Sequence, residues 1–249
     1  MPIIATSHGG LYFADHRNAK APPLLLIHGA AGTHLDWSMP LRKMGSIAVD
    51  LNGHGKSPGY GRETIAEYAE DMIALLDALD IPTAFVCGHS MGGAIALTMM
   101  LEYPERLRGA ALISTGARLR VHPDILSQAE SNPAAVAEIL FSWLWAADTA
   151  ESVRARGRAI FLAQKPSVIA RDYLACDVFD VRARLHQIKT PTLVLCGTSD
   201  TMTPAKYSQA LAHGISGAVL HLFDGAGHNL QLEQADAVTE RVYRFIGAH

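Results

Sequence analysis

Cys87-Gly88-His89-Ser90-Met91-Gly92-Gly93 is the stretch around which the rest of the chain makes sense. Before it, Thr83-Ala84-Phe85-Val86-Cys87 is a short β-prone apolar run; after it, Ala94 to Leu101 is built from good helix formers. A serine therefore sits on a strand-to-helix turn. Gly88 and Gly92 flank it two residues away on either side, where side chains would collide if the turn were sharp. Such a turn lifts the Ser90 hydroxyl clear of a sheet and puts the Met91 N–H, at the start of the helix, where developing negative charge could be held.

Outward from this turn, other apolar runs read as strands: Leu11–Ala14, the run Pro22–Gly29 with its strand ending at His28, Ser46–Asp50, Gly109–Ser114, Pro191–Gly197 and Ala218–Phe223. A polar turn from Asp15 to Lys20 separates the first two. Helices are expected from about His34 to Met44, Thr64 to Leu79, Ala94 to Glu102, Pro204 to His213 and Leu230 to Ile246. Strand and helix alternate, which predicts an α/β fold with a mainly parallel central sheet and helices on both faces. Between Ala117 and about Lys189 the strand signal vanishes, and Val136, Ile139, Leu140, Trp143, Leu144 and Ala147 form a stripe at helical period. The expected organisation is a core of residues 1–116 and 189–249 with a helical cap (lid) insertion at 117–188.

With 249 residues, 49% hydrophobic and 18% charged, the chain is long enough to bury one full core. A net charge of −3 without blocks of like charge points away from nucleic acid and anionic membranes and toward small ligands. Cys87, Cys176 and Cys196 are odd in number, with two in expected buried strands, which reads as reduced thiols in a cytoplasmic protein. The N-terminus from Met1 to Gly10 has neither a basic start nor an apolar core of a signal segment, and no apolar run approaches a membrane span. Oligomeric state is left open.

In a sheet of this kind ligands bind at the carboxyl ends of the strands. Three loops there carry suggestive residues: Gly29-Ala30, Gly197-Thr198-Ser199-Asp200, and Asp224-Gly225-Ala226-Gly227-His228. With His28-Gly29, with Asp50 and Gly53-His54-Gly55-Lys56-Ser57, and with the Gly88–Gly93 turn, they make a chain that resembles the α/β-hydrolase fold serine hydrolases, esterase-like, over nearly its whole length. The order serine, acid, histidine is the one that fold uses. The resemblance implies that Ser90 is the nucleophile, His228 the general base and Asp200 the acid that orients it. The N–H groups of Ala30 and Met91 would form the oxyanion hole. No cofactor and no metal is implied.

Position separates the rival residues. Asp224 shares the histidine's own loop and reads as a turn former. Asp50 has a structural role by resemblance, and His28, His54 and His89 read as structural, with His89 directed to the far side of its strand. Gly55-Lys56-Ser57 lacks the earlier glycine of a phosphate loop, since Asp50 stands there. Arg154 and Arg158 could meet a substrate carboxylate but fit a solvated helix face better. Phe141, Trp143 and Trp145 are the candidates for a substrate pocket under the insertion. The expected activity is cleavage of a small, mostly apolar carboxylic ester. Enol-lactonase, thioesterase, C–C bond hydrolase or a hydrolase-fold receptor with little turnover are the alternatives.

Overall fold

The strands form where the sequence supplies apolar residues for two faces at once. The computed structural model describes residues 3–19 and 21–249; Met1 and Pro2 of the N-terminal reading, and Lys20 at the end of the expected polar turn, lie outside the described residues. The chain begins with β1 (Ile4–Thr6) and β2 (Gly9–Asp15), a hairpin whose turn is closed by Thr6 Oγ1 donating to Gly9 O at 2.8 Å. β3 (Leu24–Ile27) follows. The single helix expected from His34 to Met44 is instead a 3-10 turn, His34–Asp36, and a short α1 (Met39–Arg42). Pro40 explains the break, since it has no N–H to give a helix begun upstream and belongs in a first turn.

β4 (Ser46–Asp50) leads to α2 (Ile65–Ala78), which starts on a capping box: Glu67 N donates to Thr64 Oγ1 and Thr64 N to the Glu67 carboxylate. Then come β5 (Ala84–His89), α3 (Met91–Glu102) and β6 (Leu107–Ile113). Between β6 and the next strand lie α4 (Pro123–Gln128), α5 (Pro133–Phe141), α6 (Glu151–Leu162), α7 (Pro166–Val178) and a 3-10 turn, Arg182–Gln187. The chain closes with β7 (Thr192–Gly197), α8 (Ala205–Gly214), β8 (Val219–Phe223), α9 (Leu230–Glu233) and α10 (Ala235–Gly247). The last amphipathic stretch, expected as one helix, breaks at Gln234, whose φ of −123° and ψ of 47° are not helical.

The sheet among the described residues has eight strands in the order β1-β2-β4-β3-β5-β6-β7-β8. β2 runs antiparallel to β1 and β4, and every pairing from β4 to β8 is parallel. Alternate residues of the central strands feed two cores. Leu25, Ile27, Val86 and Leu112 pack with α2 and α3 on one face; Leu24, Leu26, Phe85 and Ile113 pack with α1 and α10 on the other. α3 is apolar nearly all round because it is buried nearly all round.

The segment between β6 and β7 returns to its starting point: Arg118 bridges Asp180, and Val181 N donates to Ala117 O at 2.8 Å. Its helices share an apolar cluster of their own, including Ile125, Val136, Leu140, Phe161 and Tyr173, which also takes in Ala31 of the core. The helical stripe expected through Ala147 stops early. α5 ends at Phe141, and Trp143, Leu144 and Trp145 belong to an irregular segment: the N–H groups of Trp143 and Leu144 still donate to Leu140 O, but the Trp143 and Leu144 carbonyls accept from other loops.

Candidate active site

Ser90 stands between β5 and α3 with φ 53° and ψ −116°, a left-handed backbone conformation that a non-glycine residue adopts only under tertiary constraint. The constraint is visible. Ser90 N donates to Ile113 O at 3.0 Å, and Ser90 O accepts from Thr115 Oγ1 at 2.8 Å. The flanking glycines are required: a Cβ on Gly88 would lie 2.1 Å from Gly92 O, and one on Gly92 2.0 Å from Ile27 O. The turn is as sharp as the sequence demanded.

Asp200 follows β7 and His228 follows β8, both buried. His228 Nδ1 lies 2.9 Å from Asp200 Oδ2, so the ring donates there and Nε2 is left as the basic nitrogen. Asp200 is itself held on both oxygens. Oδ1 accepts from Met202 N at 2.9 Å and Thr203 N at 2.8 Å, and Oδ2 accepts from Thr203 Oγ1 at 2.8 Å. Burial alone would raise the Asp200 carboxyl; the charge of His228 and the hydrogen bonds from His228 and Thr203 outweigh it and hold the group below its ordinary value. Asp224, the rival acid, is exposed and accepts from Thr198 Oγ1 at 3.2 Å instead.

Beside this pair lies the loop after β3. Ala31 N is taken by Asp172 Oδ2 at 2.7 Å and Gly32 N by Gly29 O at 3.1 Å. The N–H groups of Ala30 and Met91 have no acceptor among the described residues. Ala31 has φ 53°, so the loop is held in a conformation it would not choose alone. His28 helps fix it: Nδ1–H donates to Gly29 O at 2.8 Å and Nε2 accepts from Leu51 N at 3.0 Å, while burial pushes its pKa down to about 4.

His89 departs from expectation. It was assigned to the far side of its strand, yet it lines the same cavity as Ser90 and His228. His89 is the last residue of β5, and its ring packs against His228, 4.9 Å between ring centres, with Nε2–H donating to His228 O at 3.0 Å. Burial, then the neighbouring His228, pushes His89 to about 3, so it stays neutral.

Asp172 of α7 was absent from the sequence reading. Its side chain is wholly buried, accepting from Ala31 N, from Tyr68 OH at 2.5 Å and from His54 Nε2 at 2.7 Å. His54 Nδ1 lies 3.0 Å from Asn52 O, an acceptor, so both ring nitrogens donate and the ring is an imidazolium. Burial would lower the His54 pKa, but the Asp172 charge and hydrogen bond outweigh it and raise the group. Asp50 is structural: its carboxylate accepts from His34 N, His34 Nδ1 and Lys56 N.

Ser90, Ala30 and His228 face a largely apolar cavity holding about 960 Å3 of unfilled space, its open mouth included. Phe141 and Trp145 line it. Trp143 does not: its ring stands edge-on to His122 at 5.9 Å, whereas Leu144 and Trp145, the next two residues of the irregular segment after α5, both face the cavity. Neither Arg154 nor Arg158 is free for a substrate. Arg154 donates to Ala146 O, Ala147 O and Thr149 O, and Arg158 pairs with Glu138. Among the described residues no three His, Cys, Asp or Glu side chains are grouped to hold a metal ion, and no helix is long and apolar enough to cross a membrane.

Sheet and site together define a hydrolase of the α/β-hydrolase fold. Residues 24–241 match the model of the Alpha/beta hydrolase family, and the chain belongs to that family. Among its relatives, "Putative carbamate hydrolase RutD" of Pseudomonas syringae pv. syringae is 31% identical, over 85% of this chain and 88% of that protein. Among solved structures, the enol-lactonase of Burkholderia xenovorans LB400 superposes with a TM-score of 0.92 at 27% identity, over 99% of this chain and 100% of that one. A thermophilic esterase of Thermogutta terrifontis gives 0.89 at 25%, over 99% and 98%.

Proposed function

We propose that the protein hydrolyses a small, mostly apolar carboxylic ester through an acyl-enzyme formed on Ser90. The observation that carries this reading is the His228–Asp200 contact of 2.9 Å in the cavity wall that also presents Ser90 on its strained turn. In this reading His228 Nε2 takes the Ser90 proton as Oγ attacks the ester carbonyl, and returns it to the leaving alkoxide. Asp200 keeps the ring in the required tautomer and stabilises the imidazolium. The N–H groups of Ala30 and Met91 receive the oxyanion, each donor contributing about a hundred- to a thousandfold in rate. Water, activated by the same histidine, then releases the acid. Residues 117–188 form a cap over this site, and its closure at Arg118–Asp180 supports that division. The three cysteines, all free and buried, fit a reducing, cytoplasmic setting.

The likeness to an enol-lactonase favours a cyclic ester as a second reading, and the relative named for carbamate hydrolysis favours a carbamate as a third. All three use the same nucleophile. A panel of aryl and alkyl esters, lactones and carbamates, run with wild type and Ser90→Ala, tests them together. The best substrate should be an ester, and Ser90→Ala should lose its turnover and its labelling by a fluorophosphonate. Turnover that survives in Ser90→Ala overturns the mechanism; a carbamate or lactone optimum corrects the substrate alone.

A further inference from the structure

We infer that Tyr173 is a specificity-determining residue, and that the substrate carries, besides the bond to be cleaved, a second oxygen that accepts a hydrogen bond from the Tyr173 hydroxyl. This rests on the reading of Ser90 as nucleophile and narrows its substrate from an alkyl ester to one with an oxo, ether or carboxyl oxygen in its acyl part.

Tyr173 lines the cavity and is only 7% exposed, yet its hydroxyl has no hydrogen-bond partner among the described residues. Its oxygen opens to the cavity, and a molecule that displaces water there without offering a hydrogen bond leaves a polar group unpaired at a cost. Here the unpaired hydroxyl belongs to the wall of the cavity that holds Ser90, so a bound molecule is the available partner. The surroundings select an acceptor. Leu140, Phe161 and Val121 make the surroundings of the ring apolar, and Arg120, which also lines the cavity, pairs with Asp177, 3.5 Å from its Nε. The phenol resists ionisation because burial, Cys176 and Asp172 all push its pKa well above the ordinary value, so it remains a donor.

Its position is also fixed. Tyr173 follows Asp172, whose carboxylate is bonded to Ala31 N, His54 and Tyr68. Since Ala31 adjoins the N–H that would hold the reacting carbonyl, α7 is tied to the loop beside the scissile bond, and the packed Tyr173 ring leaves its hydroxyl little freedom. A group held so rigidly discriminates strongly, because a substrate lacking its partner leaves the hydroxyl unpaired in the complex.

The test uses 4-nitrophenyl hexanoate and its 3-, 4- and 5-oxo derivatives with wild type and Tyr173→Phe, which removes one oxygen and keeps the ring. One oxo isomer should exceed hexanoate in wild-type kcat/KM, and that ratio should fall about two- to tenfold in Tyr173→Phe, the size of one hydrogen bond to a neutral donor. The ratio is read within each protein, so a general loss of activity cancels. If no isomer exceeds hexanoate, or the ratio is the same in both proteins, the inference fails while the ester mechanism stands. If no ester is cleaved at all, binding decides. By NMR, Ser90→Ala protein should prefer cyclohexanone to methylenecyclohexane, and Ser90→Ala/Tyr173→Phe should not. Equal preference in the two proteins overturns the inference independently of turnover.

Discussion

Leu144 and His228 are joined main chain to main chain: His228 N donates to Leu144 O at 3.1 Å, and Asn229 N donates to the same oxygen at 3.3 Å. The segment that follows α5 is therefore part of the support of the histidine. Glu233 reinforces the link, its Oε2 accepting from Gly227 N at 2.7 Å and Ala146 N at 3.4 Å, and Thr201 Oγ1 donates to Trp143 O at 3.1 Å on the Asp200 side. At this end the segment between β6 and β7 is tied to the loops that carry Asp200 and His228.

Gly227 lies under that joint, and an added Cβ would come within 2.5 Å of Ala146 N and 2.8 Å of Trp145 C. Both neighbours are backbone and cannot swing aside. Gly227→Ala should push the segment off the histidine loop and lower kcat by at least about tenfold, since small displacements of a catalytic base are costly. Steady-state kinetics beside a circular dichroism melt checks this; unchanged kcat in a folded variant would mean the joint is irrelevant to catalysis.

Asp200→Asn should lower kcat about ten-thousandfold, the effect of turning a triad acid into an amide that favours the wrong tautomer. Asp224→Asn should stay within about twofold, because Asp224 is exposed and, among the described residues, its side chain accepts only from Thr198 Oγ1. The reverse ranking of the two variants would exchange their roles.

Asp172→Ala should destabilise the protein by about 3–5 kcal/mol, the cost of leaving a buried partner charge uncompensated, here His54. It also frees Ala31 N, so kcat should fall more than KM rises if the loop then relaxes. Urea unfolding and a kcat against KM comparison read the two effects separately. Stability within 1 kcal/mol of wild type would deny the charged pair.

Stability should pass through a maximum near pH 6.5. Below that value the unfolded chain holds protons on His28 and His89 that the folded chain, with pKa values of about 4 and about 3, does not, so stability falls on acidification. Above 6.5 the folded chain retains a proton on His54 that the unfolded chain has shed, so the stability from that pair is lost as pH rises through the raised folded value. Urea midpoints from pH 4 to 9 measure both limbs, and His54→Gln should flatten the alkaline one. An alkaline limb of the same slope in His54→Gln would place the charge elsewhere.

Acyl-chain preference should peak between acetate and hexanoate. Each buried methylene adds about 0.8 kcal/mol, severalfold in specificity, until the chain meets the wall made by Phe141 and Trp145. Phe141→Ala or Trp145→Ala should move the peak to longer chains, whereas Trp143→Ala should not, because Trp143 packs on His122 outside the cavity. A wild-type optimum at dodecanoate would mean the cavity continues beyond these rings.

What the sequence determined by itself is whatever is local. The flanking glycines of Ser90, the apolar runs of the parallel strands, and the order in which Ser90, Asp200 and His228 arrive at strand ends are all properties of a few adjacent residues, and strand periodicity carries them to the same edge of the sheet. Even the break at Pro40, inside the helix expected from His34 to Met44, has a local cause.

Only the tertiary structure decided the rest. The antiparallel place of β2, the approach of Asp172 to Ala31 across 141 residues, the bond from His228 to Leu144, the turn of His89 toward the cavity and the separation of Trp143 from Trp145 depend on which distant surfaces pack. No periodicity encodes such contacts. The same holds for charge: His54 is an imidazolium because Asp172 is buried against it, while His28 and His89 are neutral because burial without a facing carboxylate strips their protons.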